Sequence, residues 1–140
     1  MTTIDVVTAD QVGTGELTEL YDSVGWSAYT RDVGTLRRAL AGSSTLVIAR
    51  ANGVLIGLAR VVSDGATICY LQDVLVDPSH QGHGVGHALV RAALEPYANV
   101  RQKVLLTDDE PAQRRFYESL GYSDAAVAVG GPLRAFVRLD

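Results

Sequence analysis

Gln81-Gly82-His83-Gly84-Val85-Gly86 separates an apolar, β-branched run from a segment whose Val85, Leu89, Ala92 and Ala93 recur at helical spacing. Glycines let the backbone turn tightly and approach a ligand with no Cβ in the way. The first N–H groups of the following helix lack partners, and the helix dipole favours an anion there. A phosphate or pyrophosphate is the guest this arrangement suits. The Gly-Lys-Ser/Thr of a nucleotide-triphosphate loop is absent. A dinucleotide fingerprint would need glycine where His87 stands, although the acidic pair Asp108-Asp109 follows at the distance of a ribose-binding carboxylate.

Other chemistry-bearing residues have plainer readings. His83 and His87 are four apart, a metal-compatible spacing, but no Glu follows His83 and phosphate suits imidazole donors better; no metal is expected. Cys69 lies in an apolar strand without a neighbouring His, as a small core residue would. Trp26 and Tyr29 sit in a loop, where they either border a pocket or pack over a sheet. Arg114-Arg115 reads as solvated helix face. Tyr117, beside Phe116 on a helix, reads by position as core.

These residues need elements to hold them. Ile4–Thr8 is expected as a strand, and Gly15–Val24 and Val33–Ala41 as helices around the aromatic loop Gly25–Thr30. Thr45–Ala51 and Val54–Val62 flank Asn52-Gly53, a strong hairpin signal, and Thr67–Val76 ends at Asp77-Pro78. A helix runs from Val85 to Pro96, then a strand over Val100–Thr107. Pro111 opens a helix that Gly121 caps, and Tyr122–Val129 and Leu133–Leu139 read as a closing strand pair. This order implies an α/β (α+β) fold: a mixed, mostly antiparallel sheet flanked by helices, with one parallel βαβ crossover at the glycine-rich loop.

The 140 residues suit a single domain, 1–140. With 47% hydrophobic and 20% charged residues, the composition is globular. Twelve Lys and Arg against 16 Asp and Glu give a net charge of −4, which disfavours nucleic acid as a partner. A backbone-lined phosphate site needs no basic excess, so one anionic coenzyme stays compatible. The single cysteine excludes an internal disulfide. With no apolar stretch near a membrane span and no signal-like start, a cytoplasmic protein without a membrane partner is expected.

Gln81-x-x-Gly84-x-Gly86 resembles the Arg/Gln-x-x-Gly-x-Gly/Ala loop of GNAT-type N-acetyltransferases. Leu71–Pro78 is similar to their fourth strand, and Phe116–Tyr122 to their Phe-Tyr-x-x-x-Gly-Phe/Tyr segment. The resemblance covers Thr67–Tyr122. It implies an acetyl-CoA-dependent N-acetyltransferase acting by direct transfer on a primary amine, expected to be a small molecule. The amides of Gln81, Gly82, His83, Gly84, Val85 and Gly86 would bind the coenzyme pyrophosphate. The backbone of Val74, Leu75 and Val76 would pair with the pantetheine arm, strand-like, with a gap between Val76 and Val104. Tyr117 matches the tyrosine that protonates the departing thiolate.

The base is open. Some relatives carry Glu where Gln72 stands, and an amide cannot take a proton. Asp73 is the adjacent carboxylate; strict alternation would turn it to the opposite face, a β-bulge could re-aim either side chain, and bulk water is a third recipient. Many relatives have Asn and Ala where Glu110 and Gln113 stand, so no coenzyme contact is carried onto Glu110. These departures keep a second reading in view, a non-catalytic acyl-CoA or nucleotide-binding module. Relatives commonly form homodimers, which leaves a homodimer open here.

Overall fold

The computed structural model describes residues 1–128 and 130–140. Residues Met1–Leu105 form one compact unit and Leu106–Asp140 a second. The first holds a five-stranded sheet in the order β1-β2-β3-β4-β5. The strands are β1 (Thr2–Val7), β2 (Thr45–Ala51), β3 (Val54–Ser63), β4 (Ile68–Val76) and β5 (Gln102–Val104). β1 to β4 pair antiparallel in sequence order, and β5 joins β4 in parallel. The mixed sheet with one parallel crossover is the expected architecture.

At the β2–β3 turn Asn52 and Gly53 take φ of 50° and 83°, the paired positive angles that match hairpin twist. α1 (Thr14–Ser23) buries Leu17, Leu20 and Tyr21, and α3 (Val33–Ala41) buries Leu36 and Leu40. These residues pack with Leu46, Ile48, Leu58 and Leu75 on one sheet face. Asp32 caps α3 by accepting from the Thr35 N–H at 3.0 Å. The segment expected as aromatic loop contains a single helical turn, α2 (Ser27–Thr30).

α4 (Val85–Leu94) lies on the other face, burying Val85, Leu89, Val90 and Ala93. Gly57 makes that packing close: a Cβ there would sit 2.9 Å from Leu89 Cδ1 and 3.3 Å from the Leu75 carbonyl oxygen. No helix of the described residues is long and apolar enough to cross a membrane.

Two expectations are corrected. β5 covers only Gln102–Val104 of the expected Val100–Thr107, because a strand persists only where a neighbour pairs with it. The closing strand pair is absent from the described residues, and Val129 lies outside them. In its place Asp124 accepts from the Ala126 N–H at 2.9 Å and caps a 3-10 turn over Ala125–Val127. That local bond competes with strand pairing. Leu133, Phe136, Val137 and Leu139 are exposed, so the alternation that suggested a strand buries nothing here.

In the second unit Pro111 opens α5 (Pro111–Ser119). Gly121, at φ 93°, ends it in a Schellman turn: its N–H donates to the Glu118 carbonyl and that of Tyr122 to the Tyr117 carbonyl, each at 3.1 Å.

Candidate active site

The β4–β5 ladder ends at Tyr70↔Val104, while β4 runs on to Val76. Past Tyr70, β4 therefore extends about 20 Å without β5 beside it. Val74, Leu75 and Val76 lie on this stretch; Leu75 is buried in the α1/α3 core, and Val74 and Val76 are half-buried.

The ladder stops where β4 bulges. Arg60 pairs with Asp73 and Val61 with Leu71, which leaves Gln72 as the extra residue. A bulge adds local twist and breaks alternation. Gln72 and Asp73, adjacent in sequence, consequently reach the same atom. The Tyr29 hydroxyl donates to Asp73 Oδ1 at 2.8 Å and accepts from Gln72 Nε2 at 3.2 Å.

Asp73 is 3% exposed. Its Oδ2 accepts from Arg60 Nε at 2.6 Å and from the Tyr21 hydroxyl at 3.0 Å. Burial, then the Asp73 charge, pushes the Tyr21 phenol well above its ordinary range. Tyr21, Trp26 and Tyr29 pack together, with the Tyr21 and Tyr29 rings edge-on at 5.1 Å. Trp26 and Tyr29, both partly buried, pack against the core on the α1/α3 side of the sheet, and Tyr29 also joins a polar network.

After Val76 the Asp77 N–H donates to the Ile56 carbonyl at 2.7 Å, tying the strand end to β3. Asp77 accepts from the Ser79 N–H and hydroxyl, which holds its carboxyl below the usual range. Gln81 Nε2 donates back to the Val76 carbonyl at 3.0 Å, joining the loop to the end of β4. Gly82 and Gly84 take φ of 82° and 83°, and nothing lies within 4 Å of a Cβ built on either. The loop thus has the left-handed backbone and open space that a backbone-bound anion requires.

Gly84 is the N-cap of α4, and its carbonyl accepts from the Ala88 N–H at 3.1 Å. Val85, Gly86 and His87 therefore present the helix's first N–H groups. Val85 itself is 8% exposed and anchors the turn in the core. His83 Nδ1 lies 3.4 Å from the His80 carbonyl oxygen. Among the described residues no group of three or more His, Cys, Asp or Glu could hold a metal ion.

Tyr117 is a half-buried residue of α5 in the second unit, its ring edge-on to Phe116 at 4.9 Å and to Tyr122 at 6.1 Å. Burial pushes its phenol up, so it carries its proton at neutral pH. Burial also raises the Cys69 thiol, which keeps it protonated and poorly nucleophilic.

No motif points to the Arg60–Asp73 pair, but the sequence carries a signal for it. Arg60 and Asp73 are lone charges within apolar runs of consecutive strands. Buried charges are paired, so each implied the other.

Residues 42–124 match the family model described as acetyltransferase (GNAT) domain. The chain is 31% identical over 111 residues to an uncharacterised N-acetyltransferase, ycf52, of Pyropia yezoensis, covering 76% of this chain and 63% of that one. It is 32% identical over 120 residues to the histone acetyltransferase TAP1 of Glycine max, covering 76% and 50%. It thus spans less than two-thirds of the length of the curated relatives compared. Among solved structures, the GNAT family acetyltransferase SP0256 from Streptococcus pneumoniae TIGR4 superposes with a TM-score of 0.81 at 27% identity, covering 99% of this chain and 100% of that one.

Proposed function

The chain belongs to the GNAT acetyltransferase family, and on that premise we propose that it acts as an N-acetyltransferase, moving acetyl from acetyl-CoA directly to a primary amine of a small molecule. The observation that carries this reading is the continuous element β4–glycine loop–α4, in which β4 runs on past the end of its pairing with β5 into two positive-φ glycines and a helix start.

Acetyl-CoA supplies the activated acetyl thioester. The residues present fit it: Gly82 and Gly84 leave open space beside the first amides of α4, where a pyrophosphate is held by N–H groups alone. The backbone of Val74–Val76 would pair with the pantetheine arm as an added strand does. An amide near Val76 would polarise the thioester carbonyl, a contribution of about 2.7–4 kcal/mol to barrier lowering. By its match to the family's tyrosine, Tyr117, protonated at neutral pH, would give its proton to the departing thiolate as the amine nitrogen bonds the acyl carbon and loses a proton to water. The raised Cys69 thiol supports transfer without an acyl-cysteine.

Tyr117→Phe tests the reading against a module that only binds acyl-CoA. Turnover should fall on the order of 10²-fold with the dissociation constant for acetyl-CoA unchanged. Unchanged turnover would remove Tyr117 from the chemistry.

A further inference from the structure

The Asp77 N–H donates to the Ile56 carbonyl at 2.7 Å, so Ile56 and Asp77 form a hydrogen-bonded pair at the end of the β3–β4 ladder. Such pairs alternate along antiparallel strands. Leu58↔Leu75 is therefore the next one, and Gly57↔Val76 and Ala59↔Val74 are the pairs without mutual bonds. The N–H and C=O groups of Val74 and Val76 consequently point away from β3, to the side where β5 has stopped pairing. A strand-like donor arm would meet them there.

One of these groups is already engaged. The Val76 carbonyl accepts from Gln81 Nε2 at 3.0 Å. The peptide joining Val76 to Asp77 is thus held on both sides, its N–H by Ile56 and its carbonyl by Gln81. With Leu75 paired to Leu58 on the other flank, both backbone angles of Val76 are fixed, and with them the direction of its N–H.

Gln81 is committed to the end of β4 by its backbone as well. Its own N–H donates to the Pro78 carbonyl at 3.4 Å and closes the 3-10 turn Pro78–His80. Asp77 caps that turn by accepting from the Ser79 N–H at 2.9 Å. The Gln81 side-chain amide is neutral, so it adds no charge to attract a phosphate. The left-handed dihedrals and open space of the loop begin one residue later, at Gly82, and recur at Gly84.

On the N-acetyltransferase reading above, we infer that Gln81 is a positioning residue for the acyl group rather than a pyrophosphate ligand. Its side chain holds the Val76 peptide so that the Val76 N–H stays aimed at the thioester carbonyl. The loop divides by task, with Gln81 serving the acyl end of the donor and Gly82–Gly86 its pyrophosphate.

Thiol release from acetyl-CoA is followed in single turnovers with benzylamine, n-butylamine, tryptamine, spermidine and a tripeptide with a free N-terminus. Calorimetry is run beside it with 3′-phospho-ADP, which carries the pyrophosphate and lacks the pantetheine arm. Gln81→Met, close in length but without a donor, should slow acetyl transfer about tenfold, the loss of one hydrogen bond. The Kd for 3′-phospho-ADP and the melting temperature should stay at wild-type values. Gln81→Arg keeps an N–H donor on a chain long enough to reach the Val76 carbonyl, and should restore most of the rate. A transfer rate that Gln81→Met leaves alone, a weakened 3′-phospho-ADP Kd, or equal losses in both variants would overturn the inference while the acetyltransferase reading stands. Coenzyme binding by the wild-type protein without thiol release for any amine would overturn both.

Discussion

Arg60 Nε lies 2.6 Å from Asp73 Oδ2, with the two residues 7% and 3% exposed, so adjacent strands carry a buried ion pair beneath Tyr21 and Tyr29. Removing one partner leaves the other charge buried and uncompensated. Asp73→Asn should cost about 3–5 kcal/mol of stability in denaturant titration. Replacing both, as in Arg60→Met with Asp73→Leu, should cost less than the two single changes added together. Strict additivity would show that the pair is not coupled.

Gly57 sets how closely α4 packs on the sheet, because its missing Cβ is where Leu89 Cδ1 sits. Gly57→Ala should destabilise by about 1–3 kcal/mol, the range for an overpacked core. Combining it with Leu89→Ala should give a clearly non-additive loss in thermal or chemical unfolding.

The framework was legible where local rules and tertiary packing agree. Asn52-Gly53, the β2 and α3 limits, and Gly121 as a helix cap all follow from turn and capping chemistry that acts within a few residues. The bulge was not legible in position. Alternation puts Gln72 and Asp73 on opposite faces, and only the register between β3 and β4 makes Gln72 the extra residue. The tail failed for a related reason. Leu133–Leu139 alternates like a strand, but alternation states only what a strand would bury, and Asp124 had already turned the chain.

Gly84 needs its positive φ for the backbone alone, since nothing lies within 4 Å of its Cβ position. Gly84→Ala should cost about 1–2 kcal/mol through the left-handed dihedral. It should also weaken coenzyme A binding in calorimetry, because a relaxed dihedral turns the α4 amides away. Unchanged coenzyme A affinity would dissociate the loop from the donor site.

Glu16 is joined to Arg50 through both carboxylate oxygens at 2.8 Å and accepts from the Gly13 N–H at 2.9 Å. The Arg50 hydrogen bond is the chief reason its carboxyl falls from an ordinary 4.5 to about 2. A depressed folded-state value stabilises the protein above the unfolded value, and that stabilisation is lost as pH falls from about 4.5 to about 2. Glu16→Gln should therefore cost about 1 kcal/mol at neutral pH, with the difference from wild type shrinking across that acidic window in pH-dependent unfolding.

Acetyl transfer at the end of β4 has a direct assay. Mixing the protein with acetyl-CoA and a panel of primary amines, peptide N-termini included, measures it through released thiol and the mass of the product. Thiol release should require an amine, with one acetyl group added to the nitrogen of at least one small amine. Tight acetyl-CoA binding with no amine-dependent release across the whole panel would contradict it, and would make this chain an acyl-CoA-binding module.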